Sequence, residues 1–436
     1  MGSQSVQWMQ CARVLRRAGF GATGSEIDAA HTLPVADYLR AQLDGSADPG
    51  AGLTPLPVFT EPVRPGRDAA TDVRKRYQSD LTGQLQTLTG WWVRRMATAQ
   101  RPLPEKLTLL WHNHFATSAS KVRSATEMAG QNETLRRLGA GDFGTLAYAM
   151  LTDPAMLRWL DGTANTAKAP NENLSREFME LFALGHGNGY SETDVREGAR
   201  ALTGWTIAAD GSPRLDPKRH DTGSKTVLGV TGSLDAREFC TAVLARPESA
   251  RFVAGRMWQQ LAADAPPSAA ALDRLTAAYG PGRDITRLVV AVLTDAEFLS
   301  GTGTVVQGPV EWLIGAVRAL AVPMGTDAQV KTQVNVLRTL GQVPFYPPSV
   351  GGWSSGQAWL STAAAQTRLR AATGLAQKAD LSWLSGTGTT DRIDAVGHRL
   401  GIGHWSDRSA AVLASVHGDP IRLTAIALNT PEYLTS

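Results

Sequence analysis

The sequence predicts a mostly α-helical globular chain, and three observations carry that expectation. Apolar residues recur at helical spacing over most of the length, helix-start and helix-stop residues bracket those stretches, and only one segment breaks into short β-favouring runs. The 436 residues are 43% hydrophobic and 19% charged, enough apolar material for a core and too little charge for a disordered chain. That length allows one large helical domain over residues 1–436, or two sub-lobes, 1–204 and 231–436, joined by segment 205–230.

Residues 6–17 read as the first helix, ending at Gly19, and Ser25 with Asp28 reads as the capping pair that opens the next. Residues 45–70 carry Pro49, Pro55, Pro57, Pro62 and Pro65 and form a long loop or arm, a feature that is often functional. Leu81, Leu85, Leu88 and Trp92 mark a long helix; Leu107, Leu110, Trp111 and His114 mark another after Pro102 and Pro104. Further helices are expected at 133–139, 144–160, 172–184 and 192–203, the last opened by Ser191 with Asp194 and closed by Gly204. Residues 205–230, where Gly211, Pro213, Pro217 and Gly223 punctuate runs such as Thr226-Val227-Leu228, are expected to form a small β-hairpin insertion. Helical periodicity returns at 236–300 and 309–342, followed by a Pro/Gly/Trp-rich loop at 344–360. The echoes Leu151-Thr152-Asp153, Leu293-Thr294-Asp295 and Leu428-Asn429-Thr430 lie too far apart for a solenoid and read as a reused local cap.

Lys plus Arg number 43 against 40 Asp plus Glu, and a net charge of +3 argues against a dedicated nucleic-acid partner. Cys11 and Cys240 lack the paired spacing of a zinc site or a disulfide framework and read as small apolar residues. No apolar run reaches the ~18 residues of a membrane span. Residues 1–10 lack the basic-then-apolar pattern of a secretion signal, so a cytoplasmic location is the default, with export expected if a leader has been trimmed. The 12 Trp outnumber the 10 Phe and suit either a helical core or sugar-stacking surfaces.

Four segments carry candidate chemistry. In Trp111-His112-Asn113-His114-Phe115, helical spacing sets His114 on the apolar stripe, where burial can serve a structural hydrogen bond or shift the imidazole pKa. His112 lies roughly 200° round the helix from it, so the two do not chelate one ion on an ideal helix. In the stretch Asn171-Glu172-Asn173-Leu174-Ser175-Arg176-Glu177, the residues Glu172, Arg176 and Glu180 share one arc with Glu177 on its flank; this is either a salt-bridged surface or a carboxylate pair biased by Arg176 for acid–base work. The loop His220-Asp221-Thr222-Gly223-Ser224-Lys225 is either a polar turn or a base with its orienting partner, with Lys225 holding an anionic group. In the fourth, Gly351-Gly352-Trp353 and Trp359 either stack a planar or sugar ligand or cover a core edge.

These segments and the opening Leu15-Arg16-Arg17-Ala18-Gly19-Phe20-Gly21 resemble, in order, motifs of the bacterial domain-of-unknown-function 1800 family, together with Thr203-Gly204-Trp205 and Pro309-Val310-Glu311. The resemblance covers essentially the whole chain. It implies no assigned activity, but it favours a working role for the polar motif residues, as such residues rarely serve packing alone.

The expectation is an acid–base, hydrolase-like (glycosidase-like) enzyme acting on a glycan or another polar or anionic small molecule. Glu172, Glu177, His114, His220 and Asp221 are the candidate catalytic residues; Arg176, Glu180, Lys225, His112, Trp353 and Trp359 are the candidate substrate contacts. That reading requires no cofactor. The alternatives are a metal-dependent enzyme with Zn, Mn or Fe on His112 or His114, His220, Asp221 and a glutamate, and a non-catalytic binding or scaffold protein.

Overall fold

The computed structural model describes residues 4–301 and 304–435; residues 1–3 of the amino-terminal stretch lie outside them. It is mostly helical, with β-structure confined to two small antiparallel pairs. Helix α1 (Val6–Ala18) starts on the side chain of Ser5 and ends at Gly19, whose missing Cβ matters because one would come 2.9 Å from the Pro102 ring. The next helix opens earlier than expected: Thr23 and Glu26, rather than Ser25 and Asp28, make the capping box.

The proline-rich arm holds a single turn of helix at Pro49–Gly52 and is tied down along its length. The indole of Trp91 donates to the Thr54 carbonyl at 2.9 Å, and the Gln84 amide donates to Thr60 O at 2.8 Å. Helix α2 (Thr71–Thr98) comes next, then α3 (Pro102–His114) and α4 (Ala125–Leu138). The helix expected at 144–160 is broken in two, Phe143–Leu151 and Pro154–Trp159, because Pro154 cannot continue the first and Asp153 caps the second. Asp295 and Thr430 sit at the equivalent boundary in the other two echoes, each just before a four-residue helix.

Helix α5 (Asn173–Glu177) widens directly into a π-helical turn at Phe178–Ala183, a form common at functional sites. Helix α6 (Glu192–Ala201) carries the Ser191–Asp194 capping box. The expected β-element is two hairpins: β1 (Trp205–Ile207) pairs with β2 (Pro213–Leu215), and β3 (Lys225–Val227) with β4 (Val230–Gly232). The later helices include α7 (Pro247–Leu261), α8 (Pro309–Ala319), α9 (Asp327–Leu340) and α10 (Thr362–Lys378). No helix among the described residues is long and apolar enough to cross a membrane. Cys11 and Cys240 are buried and unpaired.

Two large apolar cores form, and α3 contributes to both: Leu103, Leu107 and Leu110 to one, Leu109 to the other. Apart from Pro104 and Asn113 every residue of α3 is buried, so its polar side chains must find protein partners. Glu105 accepts from Trp92 Nε1 at 2.9 Å, from Arg95 Nε at 2.6 Å, and from Arg136 in a two-point fork at 2.6 and 2.9 Å. Burial pushes the Glu105 carboxyl up, but Arg136 and Arg95 more than offset it and hold it below the usual carboxylate range. Removing the carboxylate leaves the Arg95 guanidinium without a carboxylate and Arg136 with Glu133 alone. Glu105→Ala is therefore expected to cost about 3–5 kcal/mol in urea unfolding, and a loss below about 1 kcal/mol would contradict this role.

Candidate functional site

The polar residues of α3 organise the site. His112 Nε2 accepts the Phe345 backbone N–H at 3.0 Å, and its ring meets Trp353 edge-on at 5.5 Å between centroids. Asn113 Oδ1 accepts the Trp353 N–H at 2.8 Å, which pins the aromatic loop to the helix. Gly352 lies at a φ of 83°, where a Cβ would come 2.3 Å from the Asn113 carboxamide; only glycine serves there. His114 points elsewhere: its Nε2–H donates to Phe182 O at 2.9 Å within a cage of Trp111, Phe115, Phe143 and Phe182 rings. Among the described residues no three His, Cys, Asp or Glu side chains group so as to hold a metal ion.

Beside Asn113, a partly open cavity of roughly 50 Å³ lies between α3, α7, the start of α8 and the aromatic loop. Lys106, 5% exposed, faces it and forms an ion pair with Glu311 of α8. The other Glu311 oxygen accepts the Gly308 N–H at 3.2 Å. Asp264 accepts the Val306 N–H at 3.1 Å and supplies a second carboxylate. The carboxamides of Asn113, Gln259, Gln260 and Gln342 line the wall, Trp359 closes one side, and exposed Ser354 and Ser355 form the rim. Arg17 lies behind, close enough to feel Glu311 and Asp264; burial and the neighbouring Arg13 lower its guanidinium to about 9. Among the described residues its only hydrogen bond is a long one of 3.5 Å to Ala262 O, and its Nε has no partner there.

The polar ridge of α5 lies apart from this cavity. Arg176 binds Glu172 at 2.9 Å, Glu180 at 3.5 Å and Glu192 of α6 at 2.7 Å, and these bonds, Glu192 first, raise its pKa. Glu177 forms no hydrogen bond or ion pair among the described residues. Burial, with the charge of Glu180 behind it, raises its pKa. At the other end of α6, Arg200 grips Asp221 at 2.7 Å and Glu197 at 2.9 Å. Lys225, 1% exposed, donates to the carbonyls of Asp221 and Gly223, so it holds the loop's own backbone; burial lowers its pKa. His220 Nδ1–H donates to Thr203 O at 2.9 Å. Glu192 and Arg200 are eight residues apart on α6, so the two ionic groups stand about 12 Å apart along the axis.

The expected residues therefore fall into four places. Glu172, Arg176, Glu177 and Glu180 lie together on the ridge, and His220, Asp221 and Lys225 at the hairpin loop. His112 meets Trp353, which packs with Trp359, and of these three Trp359 lines the cavity; His114 stands alone in the core.

A family model described as "Protein of unknown function (DUF1800)" matches residues 13–435. The chain belongs to the DUF1800 family. No curated protein and no solved structure matches it. For this DUF1800 chain the Trp-His-Asn-His helix and the Pro-Val-Glu start reach the cavity through Asn113 and Glu311, the Gly-Gly-Trp loop is pinned to Asn113 beside it, and Arg17 of the opening motif lies behind. Sequence reasoning passed over Lys106, Asp264 and the carboxamides. One signal was available: Lys106 occupies a core-facing position between Leu103 and Leu110, where an unpaired lysine is not tolerated.

Burial pushes both imidazoles from the ordinary 6.5 down to about 3, with Arg256 adding to the effect at His114. Between those limits the unfolded chain takes up protons that the folded chain refuses. Their stabilising contribution is thus complete above about pH 6.5 and is lost as the pH falls toward 3. Each site contributes a slope of at most about 1.4 kcal/mol per pH unit. His112→Gln, which keeps an acceptor for Phe345, is expected to remove one such increment from the slope of urea-unfolding stability between pH 6 and 4; an identical slope contradicts it.

Proposed function

We propose that this chain is an acid–base, hydrolase-like enzyme whose reaction takes place in the cavity between Lys106, Glu311 and Asp264. The observation that carries the proposal is a buried lysine paired with a half-buried carboxylate and facing a polar cavity that holds a second carboxylate. A buried ion pair is an expensive way to stabilise a fold, since apolar residues of equal volume do as well or better. Its position against open polar space is what a reaction would use.

The size of the cavity limits what enters. Roughly 50 Å³ holds about one or two waters, or the reacting end of a substrate, not a whole oligosaccharide. In the proposed reaction Asp264 takes a proton from a water, the water oxygen bonds to the carbon of a glycosidic or ester linkage as that carbon's bond to the leaving oxygen breaks, and the Lys106 ammonium protonates the leaving oxygen; the proton on Asp264 then returns through water to Lys106. Glu311 positions Lys106, the carboxamides hold the polar end of a glycan or another polar small molecule, and Trp359 packs against its face. A second reading keeps the chemistry on the ridge with Glu177 as the acid; it is favoured by the raised Glu177 pKa and the adjoining π-turn. The ion pairs that occupy Arg176 and Arg200 favour a structural part for Glu172, Glu180 and Asp221.

A panel of p-nitrophenyl glycosides, esters and phosphate tests the proposal. Turnover of at least one member is expected, with a loss of about 100-fold or more in Asp264→Asn at unchanged melting temperature. Equal turnover in that variant, a loss confined to Glu177→Gln, or no turnover of any member overturns the cavity assignment.

A further inference from the structure

A second cavity lies well away from the site above. A cleft of roughly 900 Å³ runs between α2 and α9 and is walled by the proline-rich arm. That volume suits a small-molecule site, for which ~300–1,000 Å³ is typical. Its length is set by its walls: it borders α9 from Asp327 to Arg338, about 16 Å of helix. Its floor is apolar and buried, formed by Trp91, Met324, Val330 and Val334. On the α2 side Gly83, Thr87 and Gly90 recur on one helical flank and keep the space clear; a Cβ on Gly90 would approach Val330 to 3.2 Å, and one on Gly83 would meet nothing.

The wall opposite is fixed rather than collapsed into the cleft. Pro55 and Pro57 restrict the backbone, and bonds from Trp91 to Thr54 O and from Gln84 to Thr60 O hold the arm on either side of them. Charge then selects the ligand. Asp327 is the lining's carboxylate, and Arg94 neutralises it at 2.8 Å while also donating to Met324 O. Two cations remain without a carboxylate among the described residues. Lys331 forms no hydrogen bond or ion pair, and Arg338 donates only to the Asn335 carboxamide. They stand seven residues apart, two turns along the same face of α9.

We propose that this cleft binds an elongated amphipathic anion, an acyl-chain carboxylate. The chain would lie over Val330, Val334 and Met324, and the head would meet Lys331 and Arg338. The site is separate from the cavity at Lys106 and shares no residue with it.

Titration calorimetry of the full chain with dodecanoate below its micelle concentration, and with dodecanol as the uncharged control, tests this. One dodecanoate is expected to bind per chain, with dodecanol at least about tenfold weaker. The surface double variant Lys331→Ala/Arg338→Ala should weaken dodecanoate by a similar factor, and Thr87→Trp, which fills the cleft from an exposed position, should abolish binding of both. Equal affinity for the two ligands, indifference to the double variant, binding that survives Thr87→Trp, or no dodecanoate binding would each overturn the proposal.

Discussion

Everything in this structure depends on the burial of α3. A helix sealed on nearly every side has no water to satisfy its polar groups, and each one left unpartnered costs about 1–3 kcal/mol, more if charged. The chain meets that constraint by sending the polar side chains of α3 to different regions of the sequence. Glu105 reaches Arg95 and Arg136, Lys106 reaches Glu311, His112 and Asn113 reach the aromatic loop at Phe345 and Trp353, and His114 reaches Phe182. Motifs that stand hundreds of residues apart are therefore brought together by one helix, and the cavity lies where several of them meet.

The helices were legible because their signals are local. Periodicity, prolines at first turns and side-chain caps act over a few residues, and α1, α3, α6 and the loop at 344–360 lie where those signals put them. The departures are also local competitions. Thr23 with Glu26 outcompetes Ser25 with Asp28 as a cap, Pro154 divides one expected helix, and the hairpin segment spends its residues on two short pairs. His114 was recognisable as a core residue because spacing alone puts it on the apolar stripe.

The candidate site was less legible, for a physical reason. A buried lysine has meaning only with its partner, and Glu311 lies 205 residues away from Lys106. Asp264 sits in an irregular connection after α7, inside the stretch 236–300 whose helical periodicity gave no sign of the break. The ridge of α5 attracted notice because charges at i and i+4 form a visible pattern, yet that pattern is equally what an exposed ion-paired surface produces. The same asymmetry applies to Lys225, whose loop suggested a ligand contact while its ammonium holds its own turn.

The central claim is that α3 couples distant parts of the chain through charges it cannot leave unpaired. A double-mutant cycle on Lys106→Met and Glu311→Gln, read by urea unfolding, tests it most directly. Each single change should cost about 3–5 kcal/mol, and the double variant should cost about 2 kcal/mol or more less than their sum, because it removes both charges together. Additivity within about 0.5 kcal/mol would contradict the account, since the two side chains would then contribute independently and α3 would not bind the chain together through them.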